Sequence, residues 1–417
     1  MPKRIAIVGG GVVGLSTAYY AARKGHDVTI IERGNPDHDS CSLGNAGMIV
    51  PSHFVPLAAP GMISLGLRMM FNRESPFTVR PRLSRDLIRW GWQFWRSCTK
   101  SHVSRSAPVL RDLNLKSRRN FLELAETIGQ DFGLTTRGLM MLCKTEHMLF
   151  EESKTAEYAR ELGIPAEVLT PDAASKLNPG LQLDIAGAVY FPEDAHLTPE
   201  WFIPLLTKAI DQMGVKFEWS TDVLGWRTQN RRVEAMLTSQ GEVVADEYVI
   251  AAGSWSNSLT SGLKLRLSMQ AGKGYSVTMP RPQQKPAMGC ILTEARVAIT
   301  PMGTGLRVGG TMEVTGLDTS INHRRVQGIF KSVPQYFPAF KVEDFQTLPI
   351  WCGLRPCSPD GLPYIGRAAN YDNFSVATGH AMMGLSLGPI TGQLMAEVLS
   401  DESPSLDLNP LRPDRYA

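Results

Sequence analysis

The first 31 residues hold the pattern that most restricts the fold of this chain. A short apolar run at residues 5–8 is followed by the glycine pattern G-x-G-x-x-G at residues 9–14. Residues 12–24 fit a helix, and residues 27–31 form a second apolar run rich in β-branched side chains. A strand, a glycine turn, a helix and a strand in this order predict a βαβ unit that binds a dinucleotide.

Each glycine of this pattern has its own physical role. Gly9 permits a tight turn, Gly11 lets a pyrophosphate approach the backbone, and Gly14 lets the helix pack closely on the strand. The helix N-terminus adds a partial positive charge where the phosphates would lie. Glu32 lies eighteen residues after Gly14, close to the spacing expected for a carboxylate that accepts a hydrogen bond from a ribose hydroxyl.

Length and composition fit a globular enzyme of more than one domain. The chain has 417 residues, 43% hydrophobic and 20% charged, which argues against a disordered or coiled-coil protein. A formal net charge of +3 gives no reason to expect nucleic-acid binding. The six cysteines include no CxxC pair, so we predict no metal site and expect a cytoplasmic protein with free thiols. We also predict no membrane-spanning helix.

Residues 40–48 form a loop of small side chains. One interpretation is a flexible surface connection. The other is that the loop lies beside the dinucleotide site, where small side chains let the backbone approach a flat ring.

Residues 61–119 are strongly basic, with thirteen lysines and arginines, Arg73 among them, against three acidic residues. The stretch also contains three tryptophans, which is typical of a segment that contacts a membrane surface. The protein would then be peripheral on the inner face of the cytoplasmic membrane. The alternative is a substrate-domain helix with a solvated charged face and its tryptophans packed inward.

The remaining chain predicts blocks of helices and strands. Residues 110–177 are expected to be mainly helical, and residues 215–249 and 276–315 to form strands. Further helices are expected over 324–333 and over 385–399. The last helix either docks the C-terminus or points its positive end at a cofactor.

Several motifs, taken in their order along the chain, resemble a known family. Residues 43–47 read Leu-Gly-Asn-Ala-Gly, residues 251–256 read Ala-Ala-Gly-Ser-Trp-Ser, residues 353–356 read Gly-Leu-Arg-Pro and residues 378–380 read Thr-Gly-His. With the N-terminal pattern, they resemble the flavin-dependent D-amino acid oxidase superfamily over essentially the whole chain. The greatest similarity is to D-amino acid dehydrogenases of the small-subunit or single-chain type.

The resemblance implies an α/β fold with two domains. A Rossmann-like FAD-binding domain, made of 1–56, 186–265 and 350–417, would be interrupted by a substrate domain. The substrate domain, made of 57–185 and 266–349, would contain a large mixed β-sheet and helices.

The resemblance also implies residues that contact FAD, the expected cofactor. The residues that contact the pyrophosphate or the adenosine, or that flank the nucleotide, would be Gly9, Gly11, Val12, Val13, Gly14, Glu32, Arg33, Val223, Ala252, Gly253 and Trp255. Those around the flavin would be Ser42, Asn45, Ala46, Gly47, Met48, Gly353, Gly384, Leu385, Ser386 and Leu387.

Arg355 is the predicted substrate-binding residue. A guanidinium holds a carboxylate with two parallel hydrogen bonds, and the resemblance assigns this role to the arginine of the Gly-Leu-Arg-Pro motif. The alternative is a structural arginine paired with Asp360 or Glu343. Tyr275 would add a phenolic donor to the same carboxylate, unless it is a core tyrosine.

Three histidines and two methionines complete the candidate set. His53 follows the flavin loop and is predicted to border the substrate cavity, whereas His196 and His380 are expected to be structural histidines with satisfied hydrogen bonds. Met382 and Met383 stand where some relatives carry a polar residue, which indicates an apolar cavity.

The expected reaction is the FAD-dependent oxidative deamination of D-amino acids, with D-proline and D-hydroxyproline among the candidates. Hydride transfer from Cα to flavin N5 would give an imine, then a 2-oxo acid and ammonia. The electrons would pass to a quinone, a dye-like acceptor or a protein. The alternatives are an oxygen-using oxidase of glycine, sarcosine or D-amino acids, and a non-catalytic flavoprotein subunit of a larger complex.

Overall fold

The computed structural model describes residues 1–38, 40–70, 74–129 and 131–416. Arg73 of the basic stretch lies outside these residues. The strands in chain order are β1 (Arg4–Val8), β2 (Asp27–Ile31), β3 (Met48–Ile49), β4 (Phe77–Val79), β5 (Leu139–Cys143), β6 (Glu167–Leu169), β7 (Gly187–Phe191), β8 (Ala195–His196), β9 (Lys216–Glu218), β10 (Val223–Gln229), β11 (Arg232–Thr238), β12 (Gly241–Val243), β13 (Glu247–Ile250), β14 (Gln270–Met279), β15 (Gly289–Leu292), β16 (Val297–Met302), β17 (Gly305–Val314), β18 (Ile350–Cys357), β19 (Tyr364–Arg367) and β20 (Phe374–Thr378). The helices are α1 (Val12–Arg23), α2 (Met62–Met70), α3 (Arg85–Ser97), α4 (Lys100–Ile128), α5 (Glu146–Glu161), α6 (Pro171–Leu177), α7 (Pro199–Gln212), α8 (Ser256–Leu259), α9 (His323–Tyr336), α10 (Glu343–Gln346) and α11 (Gly388–Leu399).

A six-stranded sheet carries the glycine turn. Its order is β19-β20-β13-β1-β2-β9, in which β19 pairs antiparallel with β20 and the other neighbours run parallel. Parallel strands need crossover connections, and α1 supplies the one between β1 and β2. Because parallel strands point the same way, the turn after β1 and the loops after β2 and β13 meet at one edge.

Two glycines let α11 pack unusually close to α1. A Cβ at Gly392 would lie 2.4 Å from the backbone carbon of Ser16, and one at Gly388 would lie 2.8 Å from Val12. These glycines lower helix propensity, yet they are needed where the backbone of one helix touches the other. Helix α1 also contacts α7, so the three helices share one core with the sheet.

A nine-stranded mixed sheet forms the second layer of the molecule. Its order is β18-β14-β17-β16-β15-β5-β7-β6, and β4 pairs with β17 beside this path. Helix α9 packs against β15 and β17 over a second apolar core. The predicted α/β class with a large mixed sheet is confirmed. β7 and β18 pair within this sheet, although they fall in the predicted FAD-binding segments 186–265 and 350–417; the domain boundaries stay a prediction.

Most predicted elements lie where the sequence placed them, with two differences. The expectation of mainly helices over 110–177 missed β5 and β6, because the leucines and methionines of β5 favour a helix until the sheet buries them. The expected helix over 385–399 begins only at Gly388. The strands predicted over 215–249 and 276–315 are present.

Candidate active site

The glycine turn has the geometry that its sequence predicts. Gly9 has φ +112°, in the region that favours glycine, and a Cβ at Gly14 would lie 1.9 Å from the Gly9 carbonyl oxygen. A Cβ at Gly11 would meet only Ser42 Oγ, at 3.6 Å. The space above Gly11, at the N-terminus of α1, is therefore open enough for a phosphate group.

Glu32 is fixed at the end of β2 by two backbone donors. Its Oε2 accepts from Gly10 N at 2.7 Å, and its Oε1 accepts from Gly34 N at 2.8 Å. A carboxylate oxygen can accept more than one hydrogen bond, so Glu32 can still accept from a ribose. Beside it, the Arg33 guanidinium lies 3.9 Å from the centre of the Trp255 ring.

The small-residue loop is anchored to the large sheet, so its interpretation as a flexible surface connection is wrong. The buried Arg307 of β17 donates from Nη1 to the carbonyl oxygens of Leu43 and Asn45, both at 2.8 Å. Ser276 Oγ donates to the Gly44 carbonyl at 3.0 Å. Arg307 was not predicted, because nothing near it in the sequence marks the loop as its partner.

One cavity of about 1290 Å³ joins the glycine turn, the small-residue loop and the large sheet. Most of the predicted site residues line it, namely Gly9, Gly11, Val12, Val13, Glu32, Arg33, Ser42, Asn45, Ala46, Met48, His53, Val223, Ala252, Gly253, Trp255, Tyr275, Gly353, Arg355, Gly384 and Leu385. Among the described residues, the cavity walls do not include Gly14, Gly47, Ser386 or Leu387. Gly14 packs beneath the turn, Gly47 lies against the Leu197 carbonyl, and Ser386 and Leu387 are buried behind the wall.

The donor set fits FAD in chemical terms. Backbone N–H groups and a helix N-terminus suit a pyrophosphate, and a fixed carboxylate suits a ribose. The cavity wall continues from these groups to the small residues Gly44, Asn45 and Ala46. Their small side chains leave room for a flat ring system.

Arg355 projects from β18 into the same cavity without an acidic partner among the described residues. Its Nη1 donates to the Thr311 carbonyl at 2.6 Å, and a Cβ at Gly274 would lie 2.2 Å from that nitrogen. Asp360 instead forms two hydrogen bonds with Arg415, at 2.7 and 2.9 Å. The alternative pairing of Arg355 with Asp360 or Glu343 is therefore wrong.

Thr311, which was not predicted from the sequence, holds the Arg355 side chain through its backbone carbonyl. It has φ +70°, an uncommon conformation for a β-branched residue, and lies at a register shift between β14 and β17. At this shift the Thr311 carbonyl accepts the hydrogen bond from Arg355.

Tyr275 uses its hydroxyl inside the protein. It donates to Glu313 Oε1 at 2.6 Å and accepts from Asn322 N at 3.1 Å, and burial followed by this contact raises its pKa. The ring lines the cavity. This arrangement favours the core-tyrosine interpretation, since the phenolic hydrogen is already used.

The three histidines lie in different surroundings. His53 lines the cavity, and its Nδ1 is 3.0 Å from Ser52 Oγ. His380 Nε2 is 2.9 Å from Thr391 Oγ1, and burial lowers the pKa of this ring to about 3. The expectation for His196 is wrong in one respect, because its buried Nδ1 has no hydrogen-bond partner among the described residues.

The basic stretch forms both a cavity wall and a surface. Trp90 points inward and donates to the Cys357 carbonyl at 2.9 Å, whereas Trp92 and Trp95 are 52% and 61% exposed. The expectation that all three tryptophans pack inward is therefore wrong. Met69 of α2 and Phe94 of α3 line the cavity. The described part of the chain contains no helix that is long and apolar enough to cross a membrane.

Comparisons with known proteins find relatives that match almost the whole chain. The family described as DAO, FAD dependent oxidoreductase, matches residues 4–398. The chain is 32% identical to a D-amino acid dehydrogenase of Granulibacter bethesdensis, over 99% of this chain and all of the relative. It is 31% identical to one of Bradyrhizobium diazoefficiens, over 99% of each chain.

Solved structures show the same fold. The crystal structure of glycine oxidase from Geobacillus kaustophilus superposes with a TM-score of 0.80 at 26% identity and covers all of both chains. L-Proline dehydrogenase from P. horikoshii shares the fold at 19% identity, with a TM-score of 0.76 over all of this chain and 98% of that one. The glycine turn, the cavity and these matches together show that the chain belongs to the DAO family of FAD-dependent oxidoreductases.

Proposed function

We propose that this protein is an FAD-dependent dehydrogenase of D-amino acids. The observation that supports this most strongly is Arg355, a cation in the cofactor cavity with one backbone partner and, among the described residues, no acid. Such a guanidinium can take the substrate carboxylate in a bidentate pair. The relatives of about 31% identity that are named D-amino acid dehydrogenases support the same activity.

The protein's part in the reaction is to bind, orient and shield the substrate. When bound, FAD supplies the hydride acceptor, N5 of its ring system. Arg355 holds the carboxylate and so decides which substituent of Cα faces that acceptor. Met312 and Met382 contribute apolar surface to the same cavity, which excludes water from the reacting carbon. A primary amino acid leaves as an imine, which water converts to a 2-oxo acid and ammonia, whereas the nitrogen of a cyclic imine from D-proline stays bound to the product.

The test is anaerobic reduction of the FAD-loaded protein by matched enantiomers. We expect D-amino acids, with D-proline and D-hydroxyproline in the panel, to bleach the flavin while their L-forms leave it oxidised. Bleaching by L-forms alone would refute the proposed stereochemistry. A flavin that no amino acid bleaches would favour the non-catalytic subunit.

A second candidate is an oxidase that uses oxygen directly. The glycine oxidase structure supports it, with a TM-score of 0.80. We favour a quinone, dye-like or protein acceptor because apolar side chains of α2 and α3 contribute to the cavity wall. Oxygen consumption compared with dye reduction at equal substrate decides between the two, since a dehydrogenase should turn over only with the dye.

We further propose that α3 contacts an anionic membrane surface. Arg85, Ile88, Arg89, Trp92 and Arg96 are all exposed and recur three or four residues apart, which puts them on one helix face. Arg96 also lies 4.8 Å from the Trp92 ring centre. Exposed tryptophans between arginines suit the interface of an anionic bilayer.

Sedimentation with lipid vesicles tests this contact. Binding to vesicles with anionic lipid should fall as salt rises and should be lost on Arg85→Glu, Arg89→Glu and Arg96→Glu together, because each cation contributes about 1 kcal/mol near the surface. Arg227→Glu, at an exposed position of β10, is the matched control. If the triple variant binds the vesicles as well as the unmodified protein does, the charged face of α3 is simply solvated and does not contact a membrane.

A further inference from the structure

A short chain of hydrogen bonds leads from a buried carboxyl group to the wall of the cavity. Asp194 is fully buried; its Oδ1 accepts from Ser52 N at 2.9 Å and its Oδ2 accepts from the Ser52 hydroxyl at 2.5 Å. Ser52 Oγ is in turn 3.0 Å from His53 Nδ1. The pairing of β3 with β8 brings these two segments together.

These contacts determine which nitrogen of His53 carries the hydrogen. Ser52 has one hydroxyl hydrogen, which it gives to the ionised Asp194, so its oxygen can only accept from His53 Nδ1–H. In a neutral ring the other nitrogen, Nε2, is then an acceptor. Burial lowers the pKa of His53 to about 4, so the ring is neutral near pH 7.

His53 Nε2 is available to a ligand. It makes no hydrogen bond with the described residues, and the ring lines the same cavity as Arg355. An α-amino acid presents a carboxylate and an amino group on one carbon. Arg355 suits the first group, and a neutral nitrogen acceptor suits the N–H of the second.

We propose that His53 Nε2 accepts a hydrogen bond from the substrate's amino group, and that Ser52 and Asp194 are positioning residues that hold His53 in the accepting tautomer. This inference rests on the proposed amino acid dehydrogenase function. Two fixed points, one for the carboxylate and one for the amine, orient Cα more strictly than Arg355 does alone.

The chain of hydrogen bonds reverses when Asp194 is protonated. Burial raises the pKa of Asp194 to about 7, although the Ser52 contacts and Arg118 oppose this and Glu193 adds to it. A protonated Asp194 donates to Ser52, which then donates to His53 Nδ1, and the ring must carry its hydrogen on Nε2. Amine binding should therefore weaken as the pH falls through about 7. The charged side chains that line the cavity are Glu32, Arg33, Glu152, Asp222, Arg296 and Arg355, and its histidines other than His53 are His38 and His380.

The experiment uses two ligands that cannot be dehydrogenated at an amino-bearing carbon. 2-Aminoisobutyrate has no Cα hydrogen, and isobutyrate has the same carbon skeleton without the amine. Each is titrated into the FAD-loaded protein, and binding is followed by the change in flavin absorbance between pH 5.5 and 8.5. The measured quantity is the ratio of the two dissociation constants, so that effects on the carboxylate cancel.

His53→Phe should raise the dissociation constant of 2-aminoisobutyrate by about 10- to 100-fold at pH 8. The dissociation constant of isobutyrate should stay within about twofold of its value in the unmodified protein. His53→Gln should recover part of the loss, because its amide oxygen can accept near the Nε2 position. An equal loss of both ligands in His53→Phe would overturn the proposal, since the ring would then only shape the cavity.

The positioning residues are tested through the pH profile. Asp194→Asn should show weak amine binding at every pH, because its amide donates to Ser52 as protonated Asp194 does. Ser52→Ala, which keeps Asp194, should also lose the change in the ratio of dissociation constants near pH 7. This variant provides the test if Asp194→Asn fails to fold. A step that persists in both variants would refute the positioning role. If neither ligand perturbs the wild-type flavin, the proposed function itself fails and the inference fails with it.

Discussion

Replacing Gly274 by alanine should displace Arg355 without removing any group that the proposed reaction uses. The new Cβ would lie 2.2 Å from Arg355 Nη1, 2.3 Å from Nη2 and 2.4 Å from Cζ. Ordinary van der Waals contact begins at 3.4 Å, so the guanidinium must retreat by about 1.2 Å, a displacement of the size that disturbs catalysis. Gly274 pairs with Gly353 in the sheet, so the strand itself has room to stay in place.

The size of the effect follows from that displacement. A misplacement of about 1 Å costs about 100-fold in rate, or about 2.7 kcal/mol of transition-state stabilisation. We expect kcat/KM for a D-amino acid to fall by about this factor. The decarboxylated amine should react at an unchanged rate, because it makes no use of the guanidinium.

The assay is anaerobic flavin reduction by stopped flow, with a D-amino acid and its decarboxylated amine compared in each variant. Gly225→Ala in β10 is the matched control, because its Cβ would meet only Leu237, at 3.8 Å. FAD content is measured alongside. If Gly274→Ala slows both substrates alike, or neither, the guanidinium does not hold the carboxylate and the assignment of Arg355 is refuted.

Three further predictions concern the binding of the substrate carboxylate by Arg355, the binding of the cofactor, and stability in acid. Arg355→Met should weaken D-amino acid binding by about 2–5 kcal/mol. Arg355→Lys should recover part of this loss, because an ammonium group lacks the planar guanidinium that binds both carboxylate oxygens. An equal loss for the decarboxylated amine would contradict the carboxylate-binding role of Arg355. Gly11→Val should purify without colour, because the side chain fills the open space where a phosphate would lie, and full flavin occupancy would count against that assignment. Burial alone would raise the pKa of Asp360, but the Arg415 pair lowers it overall, so its stabilising effect is present above the unfolded carboxyl pKa and is lost as pH falls through the folded value. Asp360→Asn should therefore lower Tm at neutral pH and flatten its fall in acid, whereas an unchanged pH profile of Tm would show that the pair contributes nothing.

The sequence predicted those parts of the site that depend on local geometry. The glycine turn requires a positive φ at Gly9 and a missing side chain at Gly14, and only glycine supplies both. The spacing to Glu32 follows from the length of one helix and one strand. The clustering of Arg355 with this turn came from the family resemblance, since more than 300 residues separate them.

The groups that the sequence did not reveal depend on contacts between distant segments. Arg307 reaches the loop at Leu43 across the large sheet. Thr311 matters because of a register shift, which is a property of two paired strands. Ser52 and Asp194 meet because β3 pairs with β8. The orientation of Trp92 also escaped prediction, because helical spacing does not say which face the rest of the protein covers.

The close packing of α11 on α1 has a consequence for how the molecule is made. β1 and α1 are synthesised before the elements that they contact, since β1 pairs with β13, β13 pairs with β20, and α1 is covered by α11. Lys3 Nζ lies 2.7 Å from Asp401 and Lys24 Nζ lies 2.6 Å from Glu402, so ion pairs join the first βα unit to the residues that follow α11. Most strands of the nine-stranded sheet are synthesised before residue 315. That sheet can therefore assemble before β20 and α11, which complete the surroundings of the glycine turn, have been synthesised. We therefore expect FAD to bind stably only after α11 has been added, because a chain that stops before α11 leaves the phosphate-binding helix α1 uncovered.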